Sequence, residues 1–169
     1  MSLMSLLKRN RVDAALLRHP VHFLSLGFGS GLSPYAPGTA GTLTAIPLFW
    51  LMAPLPLAFY LGIVLVLFIV GIYLCQQTTD KLGAHDHSAI VWDEVVGYLL
   101  TMTAVPFDWR WVIVGFFLFR LFDVWKPWPV RLLDRRVEGG LGIMLDDVGA
   151  AVYAALSLQA IIYIFENML

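Results

Sequence analysis

The sequence predicts an all-α, polytopic membrane bundle of about five hydrophobic helices, preceded by an N-terminal amphipathic helix. Three observations carry this expectation. Apolar residues make up 59% of the 169 positions and charged residues 14%, against about 45–50% and about 25% in soluble domains. The mean hydropathy of +0.77 implies more apolar surface than a soluble fold of this size could hide. Several apolar runs also approach or reach the ~20 residues that cross a bilayer as a helix. A formal charge of −1 argues against nucleic acid, which needs a clustered basic face. The one cysteine, Cys75, lies in an apolar run; it excludes a disulfide framework or thiolate metal site and reads as a packing residue.

In chain order, residues 3–18 read as an amphipathic helix and 20–33 as a short helix or interfacial segment. Lys8, Arg9, Arg11 and Arg18 ahead of an apolar run raise the question of a signal peptide. Glycines break "VHFLSLGFGSGL", however, and "PYAPG" would put proline just after a cut, so the segment reads as retained. The apolar segments follow at about 40–54, 55–77, 89–106, 109–123, and from Asp146 or Asp147 to Phe165. The second is the cleanest spanning candidate. The first and fourth are short and would cross only by tilting or lie partly buried. Pro54, Pro56 and "PFD" at 106–108 mark very short links, hence antiparallel neighbours. The whole reads as one membrane domain, 1–169, with interfacial helices and a phosphate-loop region over 1–38 and the bundle over 39–169.

Topology follows from the basic residues. With the N-terminus in the cytoplasm and five alternating spans, ten of the eleven Lys and Arg residues fall on the cytoplasmic side, leaving Arg110 outside. The same drawing brings Asp80, Asp86, Asp93, Glu94, Asp123, Asp134, Glu138, Asp146 and Asp147 to that edge. No charge falls near the middle of a span.

Four constellations could carry chemistry. Asp93 and Glu94 in "VWDEVVGYLL" point about 100° apart on a helix, so one could face the bundle while the other reaches sideways; a first turn complementing the helix dipole would also account for them. In "FRLFDVWKPWP", Arg120 and Asp123 share a helix face and could be a plain ion pair. Lys126 precedes Pro127, where the helix should end, with Trp125 and Trp128 as interfacial aromatics. Asp146 and Asp147 follow the flexible "GGLG" at the head of the last span, where an N-cap is the simpler reading. Taken with Asp93 and Glu94, they make four carboxylates at one depth, which would repel unless divalent cations sit between them; all-oxygen ligation suits Mg²⁺. The "SPYAPGTAGTLTA" loop, with Gly38 and Thr39, could offer N–H groups and hydroxyls to phosphate or simply start a helix. His85, in "GAHDHSAI", could contact substrate or be a solvated loop residue; its i, i+2 spacing to His87 is not a zinc pattern.

Three blocks, "FGSGLSPYAPGTAGTLTAIP", "HDHSAIVWDEVVGY" and "FRLFDVWKPWPVRLLDRRVEGGLGIMLDDVGA", in this order, resemble the bacterial phosphatidylglycerophosphatase A family. The resemblance implies a multi-pass, inner-membrane, Mg²⁺-dependent lipid phosphatase working at the cytoplasmic face. Its substrate would be phosphatidylglycerophosphate in the lipid bilayer, its products phosphatidylglycerol and inorganic phosphate. With that chemistry, Asp93, Glu94, Asp146 and Asp147 would hold one or two Mg²⁺. One of these acids, or Asp123, would handle the attacking water, while Arg120, Lys126, Gly38, Thr39 and His85 would contact the phosphate or substrate.

A small cation- or proton-coupled transporter is the alternative, although transporter sites lie near the midplane rather than at one edge. The repeated-Asp pattern of CDP-alcohol transferases and the Pro-Ser-Gly-His motif of other membrane lipid phosphatases are missing, as is the DxDxT pattern of aspartyl-phosphate phosphatases. A purely structural subunit would leave the acid cluster unexplained.

Overall fold

A computed structural model describes residues 12–83 and 87–168, and every regular element among them is helical. Lys8, Arg9, Arg11, His85 and Asp86, and most of the expected 3–18 helix, lie outside the described residues. What is described of that helix is a 3₁₀ turn, Ala14–Arg18, with Asp13 accepting from the Ala15 N–H at 2.9 Å. Helix α1 (Pro20–Ser25) and a 3₁₀ stretch (Gly27–Leu32) then fill the segment expected to be short and interfacial. His22 Nδ1 shares a hydrogen bond of 2.9 Å with Thr78 Oγ1. Burial, and then the neighbouring His19 and Lys81, hold His22 below the usual histidine range.

The bundle consists of α2 (Pro37–Met52), α3 (Leu57–Leu82), α4 (Trp92–Thr101), α5 (Trp109–Trp125), the short α6 (Val130–Arg136) and α7 (Gly139–Met168). The five longer helices alternate in direction. One end of the bundle is marked by ring contacts of Trp50 with Phe107 and Trp111 with Phe165. At the other end Arg120 reaches Glu94, and the Gly140 N–H donates to Gln76 Oε1 at 2.8 Å. Helices α3 and α7 are long and apolar enough to cross a membrane. Most of that apolar length faces outward, with only 22% and 28% buried inside the protein. Leu65, Val66, Ile69, Phe117, Leu156 and Tyr163 are among the exposed large side chains. A belt of this kind points to membrane association.

The third apolar segment departs from expectation. Instead of spanning 89–106, the chain forms a helix of ten residues, about 15 Å long, half of the ~30 Å hydrocarbon thickness. Helix α4 is the centre of the bundle, packed against α2, α3, α5 and α7, and eight of its ten residues are buried. Its neighbours supply what a buried helix end lacks. The Tyr60 hydroxyl donates to the Leu99 carbonyl at 2.5 Å, Gln159 to the Thr103 carbonyl at 3.0 Å, and the Val91 N–H to the Ser25 carbonyl at 3.0 Å. These are backbone groups that no turn of α4 can satisfy.

The start of the last helix is also corrected. It begins at Gly139, not at the aspartates, so Asp146 and Asp147 lie two turns inside it and are not N-caps. The "GGLG" run is helical because it is a contact surface. A Cβ on Gly140 would press on the Ile72 carbonyl and stand 2.7 Å from the Gln76 nitrogen. Glycine thus lets α7 and α3 approach backbone to backbone. Cys75 is fully buried, its Sγ 3.9 Å from Met144 Sδ, the packing role its context implied.

Removing the Tyr60 hydroxyl leaves a buried carbonyl unpaired. Tyr60→Phe should therefore lower stability by about 1–3 kcal/mol, seen as a reduced melting temperature in detergent; an unchanged melting curve would mean that α4 does not depend on this bond.

Candidate active site

The first turn of α4, the last two turns of α5 and the third turn of α7 meet at one end of the bundle. Their acids and bases line a cavity of about 290 Å³. Asp93 and Glu94 enter from α4, Asp147 and Asp146 from α7, Arg120 and Asp123 from α5, with Lys126 at its C-cap. Ala36, Pro37 and Gly38 at the start of α2, and Ser88 and Ile90 from the loop before α4, complete the wall with Val124.

The fold sorts the carboxylates expected to act together. Asp93, Glu94 and Asp147 each bring an oxygen within 4.8 Å of the others. Asp93 and Glu94 therefore converge, rather than pointing to separate sides. Asp146, next to Asp147 but about 100° around the helix, is engaged by the Lys126 ammonium instead. The Arg120–Asp123 pair forms within α5 at 2.5 Å, and the same guanidinium reaches Glu94 at 3.7 Å, tying α5 to α4.

Two glycines make this convergence sterically feasible. A Cβ on Gly97 would stand 2.6 Å from the Phe119 ring and 3.4 Å from the Asp147 Cβ, so its absence draws α5 and α7 onto α4 beside the acids. Gly38 is buried in the first turn of α2, where a Cβ would run into Glu94 Oε1 and stand 3.0 Å from the Arg120 guanidinium. Gly38 and Thr39 are thus helical, not a loop. Gly38 serves first as clearance, because its carbonyl already accepts from the Thr42 hydroxyl at 2.9 Å. Thr39 is half-buried and is not among the residues lining the cavity. His85 lies outside the described residues.

Two of the four described non-glycine residues with positive φ line the cavity. Ala36 (φ 46°) and Lys126 (φ 45°) are left-handed without being glycine, a conformation costing about 1–3 kcal/mol that persists where the surroundings enforce it. The left-handed cap ends α5 before Pro127 and lets Lys126 meet Asp146.

The electrostatics are unbalanced. Five carboxylates (Asp93, Glu94, Asp123, Asp146 and Asp147) face two cations (Arg120 and Lys126) on the cavity wall, an excess of three negative charges when all are ionised. Glu94 Oε2 and Asp147 Oδ2 are buried without a hydrogen-bond partner. Buried carboxylate oxygens with no donor are costly, and hard oxygen donors at this separation suit a hard divalent cation such as Mg²⁺. The Asp93, Glu94 and Asp147 set therefore fits such an ion, with Asp146 set aside on Lys126. Ser88, Ile90 and Val124 were not singled out by the sequence reading, whereas Ala36 and Pro37 lie within the "SPYAPGTAGTLTA" segment that it proposed as a phosphate contact.

The profile of the phosphatidylglycerophosphatase A family matches residues 23–162. The chain is 50% identical over 157 residues to the Escherichia coli (strain K12) phosphatidylglycerophosphatase A, covering 90% of this chain and 91% of that protein. The Haemophilus influenzae phosphatidylglycerophosphatase A is 44% identical over 92% of this chain and 97% of its own length. A Bacteroides thetaiotaomicron protein, named as a candidate phosphatidylinositol-3-phosphatase, is 42% identical over 78% of this chain and 86% of its own. No solved structure matches the chain. The matched stretch takes in every described residue of the acidic cavity, and the chain belongs to the phosphatidylglycerophosphatase A family.

Proposed function

We propose that this chain, a phosphatase of that family, hydrolyses the terminal phosphomonoester of phosphatidylglycerophosphate to phosphatidylglycerol and inorganic phosphate, with Mg²⁺, at the inner face of the bacterial cytoplasmic membrane. The observation that carries the reading is the cavity in which Asp93, Glu94 and Asp147 converge beside Arg120 and Lys126. A phosphate dianion would be repelled by the carboxylate excess alone, so the acids make chemical sense as cation ligands and the two bases as phosphate contacts.

In this reading Asp93, Glu94 and Asp147 hold Mg²⁺, which when bound neutralises phosphate charge and makes water a better nucleophile. Arg120 has five N–H donors, and its pairing with Asp123 leaves others for phosphate oxygens. Lys126, at the C-cap of the same helix, supplies further donors while Asp146 holds it in place. Asp123, beside Asp147 and anchored by Arg120, receives the proton of the attacking water. The bond from phosphorus to the glycerol oxygen breaks, and that oxygen ends with the proton.

Membrane placement follows the same logic. The alternating helices put Arg18, Lys81, Arg120, Lys126, Arg131 and Arg136 towards the cavity end and Arg110 at the other, as a cytoplasmic site requires. Five membrane-embedded helices fit if α4 is carried inside the bundle and α2 and α5 tilt or thin the bilayer locally. Release of phosphate by the purified protein would separate this reading from a transporter.

The two adjacent aspartates give a graded test. Asp147→Asn should lower kcat by about 100-fold or more. Asp146→Asn should cost about 10–100-fold, as for a group that positions another, and should not add to Lys126→Met. Equal losses from both aspartates would overturn the division of roles. Chelation of Mg²⁺ should stop phosphate release and its return should restore it. Glu94→Gln should raise the Mg²⁺ concentration needed for half-maximal rate by about 10–100-fold.

A further inference from the structure

We infer that the cleft between α2 and α5 is the lateral docking groove for one acyl chain of the lipid whose phosphomonoester enters the acidic cavity. The inference rests on the reading of function above and extends it from headgroup to tail. Helices α2 and α5 each pack against α4 but touch one another only lightly, which leaves a furrow between them. Trp50 contacts Phe107, just before α5, and lines a cavity with Trp109, Arg110 and Val112, which identifies the face of α2 that looks toward the start of α5; one helical stripe back along it lies Leu43. On α5, Arg120 approaches Gly38 at the start of α2, and the same stripe carries Ile113, Phe117 and Val124.

Leu43 is 51% exposed, Phe117 66% and Val124 75%, so both walls are apolar and open. Other exposed apolar faces meet bilayer too; this one runs into the charged cavity. Gly38, Arg120 and Val124 belong to the cavity wall and to the mouth of the cleft alike. An anionic headgroup drawn to Arg120 and Lys126 thus leaves its chains at the top of an apolar furrow. The length also fits. From Gly38 to the Trp50–Phe107 contact the cleft runs about 18 Å, close to the ~15 Å of one leaflet. The aromatic pair closes its far end.

The test uses the full chain in nanodiscs. A phosphatidylglycerophosphate analogue with a photoactivatable group midway along one acyl chain should label peptides containing Leu43, Ile113 or Phe117. Labelling confined to the outer face of α3 or α7 would overturn the proposal. In parallel, Leu43→Trp and Phe117→Trp should lower by about tenfold the ratio of kcat/KM for the diacyl lipid to that for its deacylated headgroup. Leu65→Trp, on the exposed face of α3, should leave the ratio at its wild-type value. An unchanged ratio in both groove variants would sink the groove while leaving phosphatase activity standing. If the wild type releases no phosphate, the reading of function fails, and the labelling pattern still decides where the chain lies.

Discussion

Three carboxylates held within 4.8 Å of one another, at one end of an apolar bundle, are the constraint around which the protein is built. Such a cluster is unfavourable in isolation, and the surrounding sequence supplies what makes it tolerable. Arg120 spans Asp123 and Glu94, Lys126 takes Asp146, and Gly38 and Gly97 clear the space that lets four helices converge. The shortness of α4 belongs to the same arrangement. Its first turn places Asp93 and Glu94 at the cavity end of the bundle, while its remaining turns are enclosed by α2, α3, α5 and α7. Tyr60 and Gln159 then satisfy carbonyls at the end it leaves inside the bundle.

Much of this was legible in the sequence, and the reasons it was legible are physical. Long apolar runs gave α3, α5 and the body of α7, and the bias of Lys and Arg brought the acids of separate helices to one edge. The limits are equally physical. The apolar composition of 89–106 does not say whether its solvent is lipid or protein, since both faces of α4 are hydrophobic in either case. Two adjacent aspartates look alike in one dimension; only the 100° between them and the position of Lys126 make Asp147 a cluster member and Asp146 the partner of Lys126. Glycine is ambiguous in the same way. "GGLG" suggested flexibility, yet Gly140 is a site of close backbone contact inside a helix.

Proteins named for phosphatidylglycerophosphate and for phosphatidylinositol 3-phosphate are similar to this chain over most of its length. A lipid phosphomonoester is the chemistry common to those names. A cluster of acids and two bases is suited to reading that group, whose charge dominates, rather than the alcohol beyond it. The rest of the cavity wall, Ala36, Pro37, Ser88, Ile90 and Val124, carries no charge.

Placing such a site at the bundle's edge has an energetic consequence for the substrate. Drawing an acyl chain out of the bilayer costs about 0.8 kcal/mol per CH₂, which would exceed the binding energy of a headgroup after a dozen or so methylenes. An enzyme whose charged cavity opens at headgroup depth avoids that cost, because the chains remain in an apolar medium throughout. Helix α5 joins the two requirements in one element: Arg120, Asp123 and Lys126 gather at its end, and the Ile113–Phe117–Val124 stripe runs along its side. On the proposed reading, a lipid diffusing along that stripe needs no extraction step to bring its phosphate to the acids.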